Sequence, residues 1–291
     1  MIIITGQTAT GKTKLALELA KKYNGELINF DSRQVYKYLN IITGKDKDIS
    51  AMKQWSNATI WLYDVVSPDK YFSSFDFVEK AKLVIEDIIK RGKEPILVGG
   101  TYLYLKHLLY GIDDNNSHPD FKLRDELNNK TVKELQDILK KLDVQSINRL
   151  NNSDRNNPRR LIRRIEILLS KPSRLGRNET TEKPRRLNLK IQQFIGIKYK
   201  NKEDLINAIK TRVEKRLAQG AIDEVISLLD RGFKKTDPGL KTIGYQEIIQ
   251  YLNNEITKQQ AIEKWTNHEI QYAKRQLTFM KKDKNIIWKE I

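Results

Sequence analysis

Cysteine is absent from all 291 residues, which excludes disulfides and thiolate-held zinc outright. Histidine is scarce too: His107, His118 and His268 stand far apart, with no spacing that suits a metal. No apolar run approaches the roughly 20 residues of a membrane span. The first residues enter a strand directly, with no basic stretch and long apolar stretch ahead of it. The expectation is a cytoplasmic protein with no membrane partner, and a monomer by default. No internal repeat is visible. Negative charge is also in short supply: 54 Lys and Arg stand against 37 Asp and Glu, a formal charge of +17. That excess is large for an enzyme of small metabolites and suits a polyanion bound through counter-ion release. A lysine-rich, solvated surface is the competing explanation.

What the chain does have is concentrated in its first thirteen residues, MIIITGQTATGKT. Gly6, Gly11, Lys12 and Thr13 fit G-x-x-x-x-G-K-[ST], with Gln7, Thr8, Ala9 and Thr10 between the glycines. Ile2 to Ile4 read as a buried strand and Lys12 to Lys21 as a helix with Leu15, Ala16 and Leu19 inward. A glycine-rich turn in that context aims backbone N–H groups at an anion, Lys12 adds a point charge, and the Thr13 hydroxyl suits Mg²⁺. The loop therefore predicts a phosphorylated ligand, without saying whether it is a nucleotide.

Further along, strand and helix alternate. Glu26–Phe30, Ile60–Val66 and Pro95–Val98 read as strands; Phe75–Arg91 and Thr101–Tyr110 read as helices, with Gly92 closing the first. Such alternation predicts an α/β fold, a P-loop NTPase-like and mostly parallel sheet flanked by helices, with ligands at the carboxyl ends of its strands. Gly111–Pro119 is polar and turn-rich. Lys122–Asn128, Thr131–Leu142 and Pro158–Leu169 then read as helices, and Lys171–Arg186 as a loop. The expected layout is a first core part over 1–111, an all-helical insertion over 112–186, and a return to the core over 187–291. That return holds a strand, Leu189–Ile197, and helices at Lys202–Gln219, Ala221–Arg231, Thr242–Leu252 and Thr257–Lys282.

Asp31 follows the second strand, in Asp31-Ser-Arg-Gln-Val-Tyr36. A carboxylate there could ligate Mg²⁺ through water, act as a general base or cap a helix. Gln34 could read a base edge by two hydrogen bonds, and Tyr36 could stack on one. Thr101, in Gly99-Gly-Thr101, offers a hydroxyl to the same cleft or caps the helix that follows.

These segments together resemble the bacterial tRNA dimethylallyltransferases, in order along nearly the whole chain. Gly6–Thr13 is similar to that family's phosphate loop, with Gln7 for its usual Pro and Thr10 for its usual Ser. Asp31–Tyr36 is its signature almost unchanged, and Gly99-Gly-Thr-Tyr-Leu-Tyr104 resembles its second signature, with Tyr102 where glycine is commoner. Pro158-Arg-Arg-Leu-Ile-Arg-Arg-Ile-Glu166 is similar to its arginine-rich insertion helix. Ile243-Gly-Tyr245 and Tyr272-Ala-Lys-Arg-Gln-Leu-Thr278 resemble two late motifs.

The resemblance implies transfer of the dimethylallyl group of dimethylallyl diphosphate to N6 of the adenine 3′ of the tRNA anticodon, with Mg²⁺ as cofactor. It implies Asp31 as base and Thr101 as a positioning hydroxyl. Gly6 to Thr13 would clamp the leaving diphosphate, with Arg212 contacting it too. Asp31, Ser32, Arg33, Gln34 and Thr101 would hold the extruded adenine. Arg124, Arg159, Arg160, Leu161, Ile162 and Arg163 of the insertion would meet the anticodon stem-loop. On residues alone, Arg159, Arg160, Arg163 and Arg164 form two i,i+4 rows opposite an inner stripe of Leu161, Ile165 and Leu168. Four arginines beside one acid, Glu166, repel unless a polyanion is expected, although a solvated charged face is the simpler account. A small-molecule or nucleotide kinase, an RNA-binding module with a structural phosphate loop, and a prenyltransferase of adenine nucleotides compete with the tRNA reading.

Overall fold

Strand β1 (Ile2–Gly6) runs through the sheet interior and is buried along its whole length. A run apolar at every position suits a strand covered on both faces, as parallel strands are. The structure, a computed structural model, describes residues 1–45, 60–111, 119–170 and 190–291. Among the described residues six strands pair in parallel: β1, β2 (Gly25–Asn29), β3 (Ile60–Trp61), β4 (Glu94–Val98), β5 (Gln193–Lys198) and β6 (Ile287–Glu290), in the order β3-β2-β4-β1-β5-β6. Alternate side chains point to opposite faces. Ile3, Ile28, Leu97 and Phe194 pack one face against α2 (Ser74–Lys90) and α3 (Tyr102–Tyr110), through Phe77, Ala81, Ile85 and Leu105. Ile2, Ile4, Leu27, Ile96 and Ile195 pack the other against Ala16 and Ala20 of α1 (Lys12–Tyr23). Each fully buried aliphatic side chain contributes roughly 1.5–3 kcal/mol, so the sheet sandwich dominates the stability of this part.

A second core lies among α9 (Lys202–Ala218), α10 (Ala221–Asp230), α11 (Tyr245–Leu252) and α12 (Lys258–Met280), around Trp265 and Tyr245. Tyr245 donates its hydroxyl to Glu224 Oε1 at 2.6 Å, and the same carboxylate accepts the N–H groups of Asn40, Ile41 and Ile42. The Ile243-Gly-Tyr segment is thus part of a bracket for the turn that follows Leu39.

The chain divides into two compact units, Met1–Leu109 with Leu187–Ile291, and Tyr110–Arg186. The second unit is helical: α4 (Phe121–Asn128), α5 (Val132–Leu142), α6 (Val144–Asn148), α7 (Asn152–Arg155) and α8 (Pro158–Leu169). Thr131 and Glu134 form a capping box on α5, and Asn157 caps α8 ahead of Pro158. Leu135, Leu139, Leu161 and Ile165 form its core.

Several expectations change. The strand expected over Ile60–Val66 stops at Trp61, because Leu62 and Asp64 take left-handed angles (φ 67° and 56°) that a pleat does not allow. The helix expected from Thr242 starts at Tyr245, after Gly244 at φ 96°. The strand expected from Leu189 begins at Gln193; Leu189, the Lys171–Arg186 loop and all but the ends of Gly111–Pro119 lie outside the described residues. The short helices α6 and α7 and the edge strand β6 are new, each only four or five residues long and too short to show a period.

Candidate active site

β1 delivers the phosphate loop at its carboxyl end. Gly6, at φ 141°, lies so close to β5 that a Cβ would sit 2.1 Å from the Ile197 carbonyl oxygen. Gly11 turns left-handed at φ 72° and starts α1 with no side-chain cap, so the first N–H groups of the helix are not spent on one. Thr10 Oγ1 donates to the Gln7 carbonyl at 2.8 Å, and the Tyr199 hydroxyl to the Ala9 carbonyl at 2.6 Å. Gln7 is buried, and its Oε1 accepts the Tyr199 N–H at 3.2 Å. One expected anion donor is already used: the Thr8 N–H is bound to Gln276 Oε1 at 3.0 Å. Lys12 Nζ donates to the Gln7 carbonyl at 2.5 Å. Burial first, then the charge of Arg212, pull the Lys12 pKa down to about 8, with Asp31 opposing. Thr13 is half-buried in the first turn of α1.

Asp31 follows β2 in a tight turn. Its N–H donates to Asn29 Oδ1 at 2.9 Å, and its own Oδ1 accepts the Arg33 N–H at 2.9 Å. No helix starts there, so Asp31 is a turn former and not a helix cap. Thr101 Oγ1 accepts the Ser32 N–H at 2.9 Å and donates to Ser32 Oγ at 3.1 Å, which joins the ends of β2 and β4 instead of capping α3. Tyr272 of α12 is hydrogen-bonded to Thr101 and Gln276; burial and the Asp31 charge push its hydroxyl up to about 12. Gln276 also donates to the Gly100 carbonyl at 3.0 Å. One amide therefore ties the phosphate loop to the Gly99–Thr101 turn.

A cavity of about 360 Å³ opens between these segments. Thr8, Asp31 and Tyr272 line it, with the cations Arg33, Arg212, Arg216, Lys241 and Arg275 against the two carboxylates Asp31 and Glu269. Arg212 Nη2 reaches the Thr43 carbonyl at 3.5 Å, and its Nε lies 3.9 Å from Glu269 Oε2. Burial pushes the Glu269 carboxyl up, while the Arg212 charge and the Trp265 N–H hold it down. The net positive lining is a place for an anion.

Two expected base contacts are redirected by packing. Gln34 Nε2 donates to the carbonyls of Thr43 and Gly44, at 3.2 and 3.1 Å, so its amide hydrogens are not free for a two-point contact. Tyr36 is only 4% exposed, inside the helical core, and offers no stacking face.

On α8 of the second unit, Leu161 and Ile162 are fully or nearly buried in the core, which corrects their assignment as RNA contacts through side chains. Glu166 is buried as well. It accepts two bonds from Arg124, at 2.8 and 3.0 Å, and one from Arg163 at 2.6 Å. Arg160 pairs with Asp154. Arg124, Arg160 and Arg163 are therefore already compensated by carboxylates, whereas Arg159 is exposed and Arg164 has a buried Nε without a hydrogen bond.

A sequence model described as IPP transferase matches residues 34–283, most of the chain. The chain belongs to the IPP transferase family. It is 37% identical over 295 residues to the tRNA dimethylallyltransferase of Clostridioides difficile (strain 630), covering 99% of this chain and 90% of that one. The Acetivibrio thermocellus tRNA dimethylallyltransferase is 35% identical over 294 residues with the same coverage. The crystal structure of the full-length tRNA isopentenylpyrophosphate transferase of Bacillus halodurans matches with a TM-score of 0.69 at 32% identity, over 99% of this chain and 89% of that one. A eukaryotic dimethylallyltransferase, crystallised in snapshots of its action on tRNA, matches with a TM-score of 0.78 at 28% identity, over 100% of this chain and 73% of that one.

Within this family member the fold brings Thr8, Asp31, Arg33 and Arg212 to one cavity, as neighbours the sequence does not make them. Arg216, Glu269, Lys241, Arg275 and Gln276 have no role in the sequence reading. Arg216 is visible in the sequence as the i,i+4 neighbour of Arg212 one helical turn on, but no motif match gives it a role there.

Proposed function

We infer that this chain transfers the dimethylallyl group of dimethylallyl diphosphate to N6 of the adenine immediately 3′ of the tRNA anticodon, position 37, and releases diphosphate. The observation that carries the reading is the shared cavity, where a strand-end carboxylate, Asp31, stands among five cationic side chains beside the phosphate loop. In the transfer the allylic carbon–oxygen bond breaks and the carbon–N6 bond forms. The leaving diphosphate keeps the electron pair, and the N6 proton goes to Asp31. An amino group on adenine is a weak nucleophile, so most of the acceleration must come from stabilising the diphosphate as it leaves. Lys12, the open amides before α1 and Arg212 are the groups that this reading assigns to that work. As the new bond forms, the nitrogen becomes acidic enough for a carboxylate to take its proton. Thr101, through Ser32 and Tyr272, orients the strand ends that flank Asp31.

Among the described residues no three His, Cys, Asp or Glu converge as a metal cage. A Mg²⁺ ion shared with the substrate phosphates would be held on the protein side by the Thr13 hydroxyl, half-buried in the first turn of α1. When bound it supplies charge neutralisation of the diphosphate. Taking the adenine out of its stack costs a few kcal/mol, and Arg159 and Arg164 of α8 are the arginines left for tRNA phosphates. Among the described residues no helix is long and apolar enough to cross a membrane, and a tRNA substrate fits the cytoplasm.

The test is to incubate the protein with labelled dimethylallyl diphosphate and unmodified tRNA, with labelled donor and AMP, and with ATP alone. Label retained on the target adenine of tRNA, with neither AMP prenylation nor ATP turnover, is expected. Label on AMP alone, or ATP consumption without prenyl transfer, would overturn the reading.

A further inference from the structure

Arg216 enters the cavity without a full set of partners. It is 4% exposed, its Nη1 donates to Glu269 Oε1 at 2.8 Å, and its Nη2 is buried with no hydrogen-bond partner. Arg212, one turn earlier on α9, approaches the same backbone: a Cβ at Gly44 would lie 2.5 Å from Arg216 Nη2 and 2.9 Å from Arg212 Nη2. Glu269 is the carboxylate between them, and it shares Oε1 with the Trp265 indole N–H at 3.0 Å. Two guanidinium groups against one carboxylate leave positive charge uncompensated where water is scarce. Lys241 and Arg275 of the same lining add to it. A buried donor left open beside surplus charge is costly unless an anion completes it.

We propose that Arg216 is a second guanidinium for the diphosphate of the donor, beside Arg212, with Glu269 as the buried counter-ion that holds its fork ready while the site is empty. The proposal rests on the prenyl-transfer reading. A planar guanidinium offers paired donors that match phosphate oxygens, and the open Nη2 is the half of the fork that Glu269 does not use. Glu269 has a second consequence: its negative charge opposes the bound anion, which limits how tightly the released diphosphate is kept.

The test is calorimetric titration with inorganic diphosphate of the parent, Arg216→Met, Glu269→Gln, the double variant Arg216→Met/Glu269→Gln and Lys12→Ala, with thermal melts of each. Arg216→Met is expected to weaken binding by roughly tenfold or more. Glu269→Gln is expected to tighten it, because Gln keeps the hydrogen bonds and removes the opposing charge. The double variant buries no lone charge, so it should melt like the parent; it should bind more tightly than Arg216→Met, which keeps the opposing carboxylate, and more weakly than Glu269→Gln, which keeps the guanidinium. A purely structural pair would give the opposite pattern for Glu269→Gln, weaker binding in step with a lower melting temperature, and that result overturns the proposal. It is overturned equally if the double variant binds like Glu269→Gln while Lys12→Ala is weakened. If the parent itself fails to bind diphosphate, the donor reading falls and takes this inference with it.

Discussion

At Lys12, burial and the nearby Arg212 bring the ammonium to a pKa of about 8, from an ordinary 10.5. The charged form is the one that attracts a diphosphate, and it is lost as pH rises through that value. Affinity for inorganic diphosphate should therefore fall between about pH 7 and 9 relative to Lys12→Arg, which stays charged throughout. Parallel pH profiles for the two proteins would remove Lys12 from the anion site. Asp31 makes a different prediction. Its Oδ1 holds the turn through the Arg33 N–H, a bond that Asn keeps, so Asp31→Asn should fold and bind diphosphate normally. Transfer should drop by about 10²-fold or more if the carboxylate is the base. Near-normal turnover at saturating donor would reject that role.

Helix α12 is where one element serves several loops. Gln276 accepts from Thr8 and donates to Gly100, joining the segments after β1 and β4, while Tyr272 meets Thr101 on the same helix face one turn earlier. Gln276→Leu keeps the volume and removes both of these bonds together with the one to Tyr272. Steady-state kinetics should show a raised KM for the donor together with a lower kcat, and Gln276→Glu, which keeps only the acceptor, should restore part of the loss. A change in melting temperature with unaltered kinetics would make the bridge merely structural. At the amino end of β2, away from the cavity, Glu26 accepts from Trp61 at 2.7 Å, Lys93 at 2.7 Å and Arg91. Hydrogen bonding to Arg91, Lys93 and Trp61 outweighs burial and holds its carboxyl at about 2, below the usual 4.5. A depressed carboxylate stabilises the fold above its unfolded pKa, and that stabilisation disappears as pH falls through the folded one. The melting temperature of the parent should hence decline more steeply than that of Glu26→Gln between pH 4.5 and 2.

For the whole molecule, the charge of +17 serves two anions of different kinds in this reading, a diphosphate and a tRNA. The arginines of α8 belong to the Tyr110–Arg186 unit, and the cavity residues belong to the other. Because Arg163 is committed to Glu166, the informative double variant is Arg159→Ala/Arg164→Ala. Each lost phosphate contact should flatten the log–log salt dependence of tRNA binding by about 0.7–0.9 unit. Diphosphate affinity should not change. Equal tRNA affinity and parallel salt lines for variant and parent would take α8 out of the RNA interface.

The sequence alone determined what depends on neighbours along the chain. Gly6 and Gly11 at their spacing, between an apolar strand and an amphipathic helix, specify the phosphate loop locally. Continuous apolar strands alternating with periodic helices specify a parallel sheet covered on both faces. Asp31 at a strand end and Thr101 after a double glycine were legible for the same reason. What tertiary structure decided is where long side chains find partners. Gln34 spends its amide on Thr43 and Gly44, Tyr36 is drawn into the helical core, and Leu161 and Ile162 pack inward. Arg124 and Arg163 close on a buried Glu166, and Arg216 meets Glu269 from a helix 53 residues away in the chain. Hydrogen bonds and ion pairs act over about 3 Å in space whatever the separation in sequence, so only the folded chain reveals which of its many cations remain open to a ligand.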